Sequence, residues 1–292
     1  MTRRSAYVTL AAALLLVSTS GPFIVMAAMD PWATVLLRTA LAAPLFLGFA
    51  WWRGQLRVPA GLRLRLAVGG VLLGAHFLLW VKAFDLTDYA SNLLLLVAQP
   101  AIAAVLGARL GERATRATWV SVALATLGLA VIAGGDLALG WRAILGDAMS
   151  ITAGLAIALF YVVTRRARVA LPLAPFMGWT LVGCALTALP VVLLTRAPLS
   201  YPAAQWGWLA GLVVLTTAAG HGLMNLCAPH VRLFTLNVVI VLEPAIAIAM
   251  GAGLFAAHVD AIQVVGGVVL AAAVVIGIRQ ETRQDPPLGT IE

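Results

Sequence analysis

The chain has 292 residues, 62% of them hydrophobic and only 10% charged, and a formal net charge of +8. A mean hydropathy of +1.01 implies more apolar surface than one water-soluble core could bury, so the protein is expected in lipid. Its basic residues sit in short clusters between apolar runs instead of one folded patch, which argues against a nucleic-acid partner.

Ten apolar stretches follow in chain order, at about 6–28, 31–52, 64–84, 89–110, 116–134, 143–163, 174–195, 205–228, 233–254 and 260–278. Each has roughly the 17 to 25 residues that a helix needs to cross about 30 Å of hydrocarbon. Arg3 and Arg4 precede the first, but it is too long for the apolar core of a typical cleaved leader and a second span follows at once, so it is read as a membrane helix. Gly and Pro punctuate the short loops, as in "RGQLRVPAG" and "RAPLSYPA". No stretch remains for a soluble domain. Cys184 and Cys227 lie inside apolar spans, where they read as small buried hydrophobes without a disulfide framework.

The basic residues set an orientation. With a cytoplasmic amino terminus, fifteen of the 19 Lys and Arg fall in inside segments. Only Lys82, Arg142 and Arg196 fall outside, and Arg38 lies within the second span. By the positive-inside rule both termini are cytoplasmic.

A phrase recurs. "QPAIAAVLGARL" begins at Gln99 and "EPAIAIAMGAGL" at Glu243, with seven of twelve positions identical at an offset of 144 residues. The first lies in the fourth span and the second in the ninth, so the repeat unit is five helices. Two copies of an odd unit face opposite ways across the membrane, which makes residues 1–140 and 141–292 inverted repeats with a site expected near the midplane between them.

These residues carry a family resemblance. "KAFDLTDYASNLLLLVAQPAIAAVLGARLGERATRATWVSVALATLGLAVI" resembles the first EamA-type repeat of the drug/metabolite transporter superfamily, and "NVVIVLEPAIAIAMGAGLFAAHVDAIQVVGGVVLAAAVVI" is similar to the second. Within the superfamily the chain most resembles the YddG-type exporters of aromatic and other neutral amino acids. One departure is visible: Glu112 supplies the "GE" of the first repeat, while Phe255 and Ala256 stand at that place in the second. The resemblance implies an all-α integral membrane protein of ten helices, an alternating-access transporter in a bacterial inner membrane, acting as a monomer without a cofactor or metal.

Gln99 and Glu243 fall about eleven residues from either end of their predicted helices, near the bilayer midplane. Pro100 and Pro244 follow them and deprive the preceding turn of a donor, so a backbone acceptor is freed beside a polar side chain at mid-depth. His76 and His221 take nearly equivalent repeat positions, and Trp80 shares a helical face with His76. With Asn92, Asn225, Asn237, Tyr161 and Trp179 these residues are expected to line a cavity suited to an apolar or aromatic amino-acid side chain. Arg38 is expected either to pair with an acid or with helix-end carbonyls, or to bind a substrate carboxylate. Gly70/Gly74, Gly107/Gly111 and Gly207/Gly211 fit close helix packing.

Three functions compete. Amino-acid export explains the repeat, the polar midplane and the scarcity of buried charge. A carrier of nucleotide sugars, sugar phosphates or drugs would share the fold, but multiply anionic substrates call for several cations in the lumen, and only Arg38 is deep. An enzyme needs a catalytic constellation, and Ser20-Gly21 with a histidine has no hydrolase context; no "HExxH" and no Walker loop occur.

Overall fold

A computed structural model describes residues 3–96, 99, 106, 115–136, 140–231 and 242–283. Among these residues the chain is helical throughout, with no strand. Six helical stretches are long and apolar enough to cross a membrane: Ser5–Ala27, Pro31–Trp52, Ala60–Ala83, Trp141–Ala170, Leu173–Thr195 and Ala203–Cys227. The protein is an all-α integral membrane protein.

In chain order the helices are α1 (Arg3–Val17), α2 (Ser20–Ala27), α3 (Pro31–Trp52), α4 (Ala60–Ala83), α5 (Tyr89–Leu95) and α6 (Arg116–Asp136). They continue as α7 (Trp141–Ala170), α8 (Leu173–Thr195), α9 (Ala203–Gly211), α10 (Gly222–Cys227), α11 (Glu243–Phe255) and α12 (Ala261–Arg283). A π-helical segment, Leu212–His221, joins α9 to α10.

The first span is broken between α1 and α2. Pro22 cannot donate to the carbonyl of Ser18, and nearby hydroxyls turn back onto the preceding turn: Ser18 donates to Leu14 O at 2.8 Å and Thr19 Oγ1 lies 2.6 Å from Leu16 O. The break faces the π segment. Thr19 and Thr216 hydroxyls meet at 2.6 Å, and Thr217 donates to Leu212 O, five residues back, at 2.8 Å. Two irregular stretches thus lie side by side inside the bundle, tied to each other by their hydroxyls.

The tightest pairings are α4 with α7, α6 with α12, and α8 with both α3 and α4. Small residues allow the α4–α8 approach: a Cβ at Gly70 would lie 2.7 Å from Gly183 Cα, and one at Gly74 would lie 2.7 Å from Thr187 Cβ. Gly207, by contrast, faces open space, and Gly211 meets the Phe23 ring. Gly107 and Gly111 lie outside the described residues.

Helix α7 outlasts its predicted span and carries Arg165, Arg166 and Arg168 on its last turns. A sharper difference concerns the repeated phrase. Glu243 was expected in mid-helix, yet α11 begins at Glu243 with Pro244 in its first turn. A proline there costs no hydrogen bond, because the first-turn N–H has no helical acceptor. Helix α5 likewise ends at Leu95, with Leu96 as its cap, before Gln99. Pro100 lies outside the described residues.

Candidate functional site

These breaks converge on one internal cavity. The α1–α2 junction contributes Val17 and Ser20; α4 contributes His76, Phe77 and Trp80; α7 contributes Ile157 and Tyr161. Leu96, Gln99, His221, Met224 and Glu243 complete the lining. Gly154 lets Gln99 come this close: a Cβ there would lie 3.2 Å from Leu96 O and 3.5 Å from Gln99 N. The cavity is narrow, with about 20 Å3 open to the centre of a water-sized sphere, on the order of one water.

Six residues expected from the sequence meet here: His76, Trp80, Gln99, Tyr161, His221 and Glu243. The His76 ring stacks on Trp80 at 6.1 Å and 8°, and His221 meets the Phe77 edge at 5.5 Å. His76 Nδ1 lies 3.0 Å from Ala153 O. A carbonyl only accepts, so Nδ1 carries the proton in this contact.

The lining keeps unused hydrogen-bonding capacity. Ser20 Oγ and Trp80 Nε1 are buried without a partner. Among the described residues no hydrogen bond or ion pair involves Glu243, which is 5% exposed and is the only carboxylate in the lining. Among the described residues no Lys or Arg lines the cavity.

Arg38 is held behind it. Its Nε and Nη2 donate to Thr217 Oγ1 at 3.1 and 3.0 Å, and its guanidinium lies 4.0 Å from the centre of the Phe77 ring. The expected acid or carbonyl partner is replaced by a hydroxyl and an aromatic face, and Nη1 has no partner. Arg38 and Glu243 remain within electrostatic range of each other. Lys82 lies elsewhere, 2.8 Å from Asp85.

Other expected residues have different places. Asn92 is fully buried but serves helix packing, donating to Trp80 O at 3.1 Å and lying 2.6 Å from Ser150 Oγ. Asn225 donates to His221 O within its own span at 2.9 Å. Trp179 is 39% exposed on the lipid side of α8 and donates to Leu56 O, so it does not reach the cavity. Asn237 lies outside the described residues. Ser20 was not expected in the lining, although "STSGP" inside an apolar span signals a broken helix.

Toward the Lys82 end of α4 the cavity is capped by rings. Trp80 meets Phe84 at 5.1 Å, Phe84 meets Tyr89 at 5.6 Å, and Tyr89 meets Phe255 edge-on at 5.1 Å. Tyr89 is wedged between Gly21 and Gly251, where added Cβ atoms would lie 3.1 and 2.6 Å from it, and its hydroxyl donates to Ala247 O at 2.9 Å. The described residues contain no group of three His, Cys, Asp or Glu able to hold a metal.

Comparison with known proteins places this architecture. The profile of the EamA-like transporter family matches residues 4–134 and again 144–278. A Pseudomonas aeruginosa protein named "Probable biotin transporter" is 28% identical over 253 residues, covering 84% of this chain and 87% of the relative. A crystal structure with 20% sequence identity superposes with a TM-score of 0.75 over 98% of this chain and all of the other, so the two share a fold.

Proposed function

The chain belongs to the EamA-like transporter family, and on that premise we propose that it exports neutral or aromatic amino acids by alternating access. The transporter carries a small molecule across the membrane; the substrate class is our reading. The observation that carries it is the one carboxyl group in the described lining: Glu243 faces the cavity while Arg38 is held behind Phe77. Such a lumen attracts an ammonium group. Ser20, Trp80 and Tyr161 offer donors for a carboxylate, and the rings of Phe77 and Trp80 suit an apolar or aromatic side chain.

In this reading residues 1–140 and 141–292 are the two inverted repeats, both termini are cytoplasmic, and the monomer sits in a bacterial inner membrane. The ring stack from Trp80 to Phe255 then closes the outer side, with Tyr89 as the bolt between α2 and α11. Export requires Tyr89 to leave its slot between Gly21 and Gly251 and the narrow cavity to widen around the substrate.

Two other substrates are less suited to this lining. Nucleotide sugars and sugar phosphates need cations that are absent from the described residues of the lining. Biotin, the substrate in the name of the P. aeruginosa relative, has a carboxylate and no ammonium, so it would meet Glu243 as a like charge.

Counterflow in proteoliposomes loaded with phenylalanine tests the proposal. Labelled phenylalanine should exchange, whereas biotin and nucleotide sugars should not. Robust biotin or nucleotide-sugar exchange without amino-acid flux would overturn it.

A further inference from the structure

A second opening lies on the lipid side of the bundle, remote from the central cavity and independent of the transport reading. Along the outer side of the α3–α8 seam small side chains leave an apolar groove of about 680 Å3, within the roughly 300–1,000 Å3 typical of ligand pockets. Small residues on α3 make the room: Ala40, Ala43 and Gly48 line it, opposite Val182, Leu186 and Leu189 of α8. From Leu36 to Trp51 it runs about 22 Å at roughly 1.5 Å per residue, more than one leaflet of a core about 30 Å thick.

The groove has a defined mouth. Trp51 and Leu56 line this end, and the Trp179 indole N–H donates to Leu56 O at 3.1 Å, fixing the α3–α4 loop against α8. On that loop Arg53 and Arg57 are exposed. No Asp or Glu occurs at positions 31–84 or 148–242, which include both groove helices and the loop. The mouth is therefore cationic with no acid on its own segments to neutralise it.

We infer that this groove binds an anionic phospholipid from the leaflet that faces the arginine-rich loops, with one acyl chain along α3 and α8 and the phosphate at Arg53 and Arg57. An apolar slot explains retention of a chain but not headgroup choice; the uncompensated arginines supply that choice. A second copy of the chain is a poorer occupant, because a two-fold interface here would bring both pairs of arginines together.

Native mass spectrometry of the full chain, released from micelles with equal phosphatidylglycerol and phosphatidylethanolamine of the same acyl chains, tests the site. Phosphatidylglycerol should be retained preferentially. Arg53→Gln and Arg57→Gln should each lower its retention about fivefold and lower that of phosphatidylethanolamine, whose ammonium offsets the phosphate charge, by less. Gly48→Trp should remove the adduct at unchanged Tm, since a Cβ at Gly48 meets nothing within 4 Å. Equal retention of the two lipids, or an adduct that survives the arginine variants, overturns the inference. A dimer that Gly48→Trp dissociates assigns the groove to a second copy and overturns it as well. The arginine variants decide the matter even if the tryptophan variant does not fold.

Discussion

Two buried polar regions meet at Trp80 and treat their polar groups in opposite ways. Around Asn92 the groups satisfy one another: Asn92 donates to Trp80 O, Ser150 approaches Asn92 Oδ1 at 2.6 Å, Thr87 donates to Asp147 at 2.7 Å, and Gln263 donates to Ser91 at 3.2 Å. Around the cavity Ser20 Oγ and Trp80 Nε1 have no partner, and no hydrogen bond reaches Glu243 among the described residues. An unsatisfied buried group costs about 1–3 kcal/mol. The first region uses its polarity to bind helices together; the second keeps polarity in reserve at a stability cost, as a ligand site does.

The sharpest test of this contrast is Glu243→Gln, which keeps size and removes the charge. A charge-assisted hydrogen bond is worth about 1.5–3 kcal/mol, so initial flux in proteoliposomes should fall about ten- to hundredfold. Tm should not fall, since no hydrogen bond in the described chain holds the carboxylate. Normal flux with a lowered Tm would move Glu243 from the reserve to the binding region and break the comparison.

The same contrast explains what the sequence could and could not disclose. Apolar length and Gly/Pro punctuation delimit helices, so α3, α4 and α8 lie close to their predicted spans, whereas α5 and α11 are cut short beside the repeated phrase. Residues that recur in both halves, His76 with His221 and Gln99 with Glu243, were singled out by that recurrence and line one cavity. Asn92 and Trp179 show the limit. Sequence position gives depth in a span, but in a helix apolar all round no periodicity separates the side facing neighbours from the side facing lipid. Trp179 instead faces the α3–α4 loop, where its indole donates to Leu56 O. The π segment was hidden for another reason: it depends on hydroxyl bonds such as Thr217 to Leu212 O, which no local propensity announces.

Arg38 stands between the two regions, partly satisfied and partly not. Thr217→Val preserves shape while removing the oxygen that accepts from Nε and Nη2. It also frees the Leu212 carbonyl in the π segment. A buried charge stripped of its acceptor should cost about 1–3 kcal/mol, read as a lower Tm in thermal unfolding of the detergent-purified protein. Flux per folded molecule should change less than in Glu243→Gln, because Arg38 does not line the cavity. An unchanged Tm would mean that the Phe77 ring alone holds the guanidinium.

The smallest effect belongs to Ser150→Ala. Ser150 is fully buried, with its hydroxyl 2.6 Å from Asn92 Oδ1 and 2.9 Å from Gly146 O in its own helix. Interhelical hydrogen bonds of this kind contribute on average about 0.6 kcal/mol and at most about 1.7 in membranes, because the separated helices find substitute partners. Here the substitute is limited: Asn92 keeps its bond to Trp80 O but loses the donor to its side-chain carbonyl. The variant should therefore show a small drop in Tm with initial flux intact. Adding Asn92→Ala should cost less than the sum of the two single changes, since both break the same bond. If Ser150→Ala instead lowered flux at unchanged Tm, the α5–α7 contact would belong to the transport cycle, and the line between glue and site would have to be redrawn on the other side of Trp80.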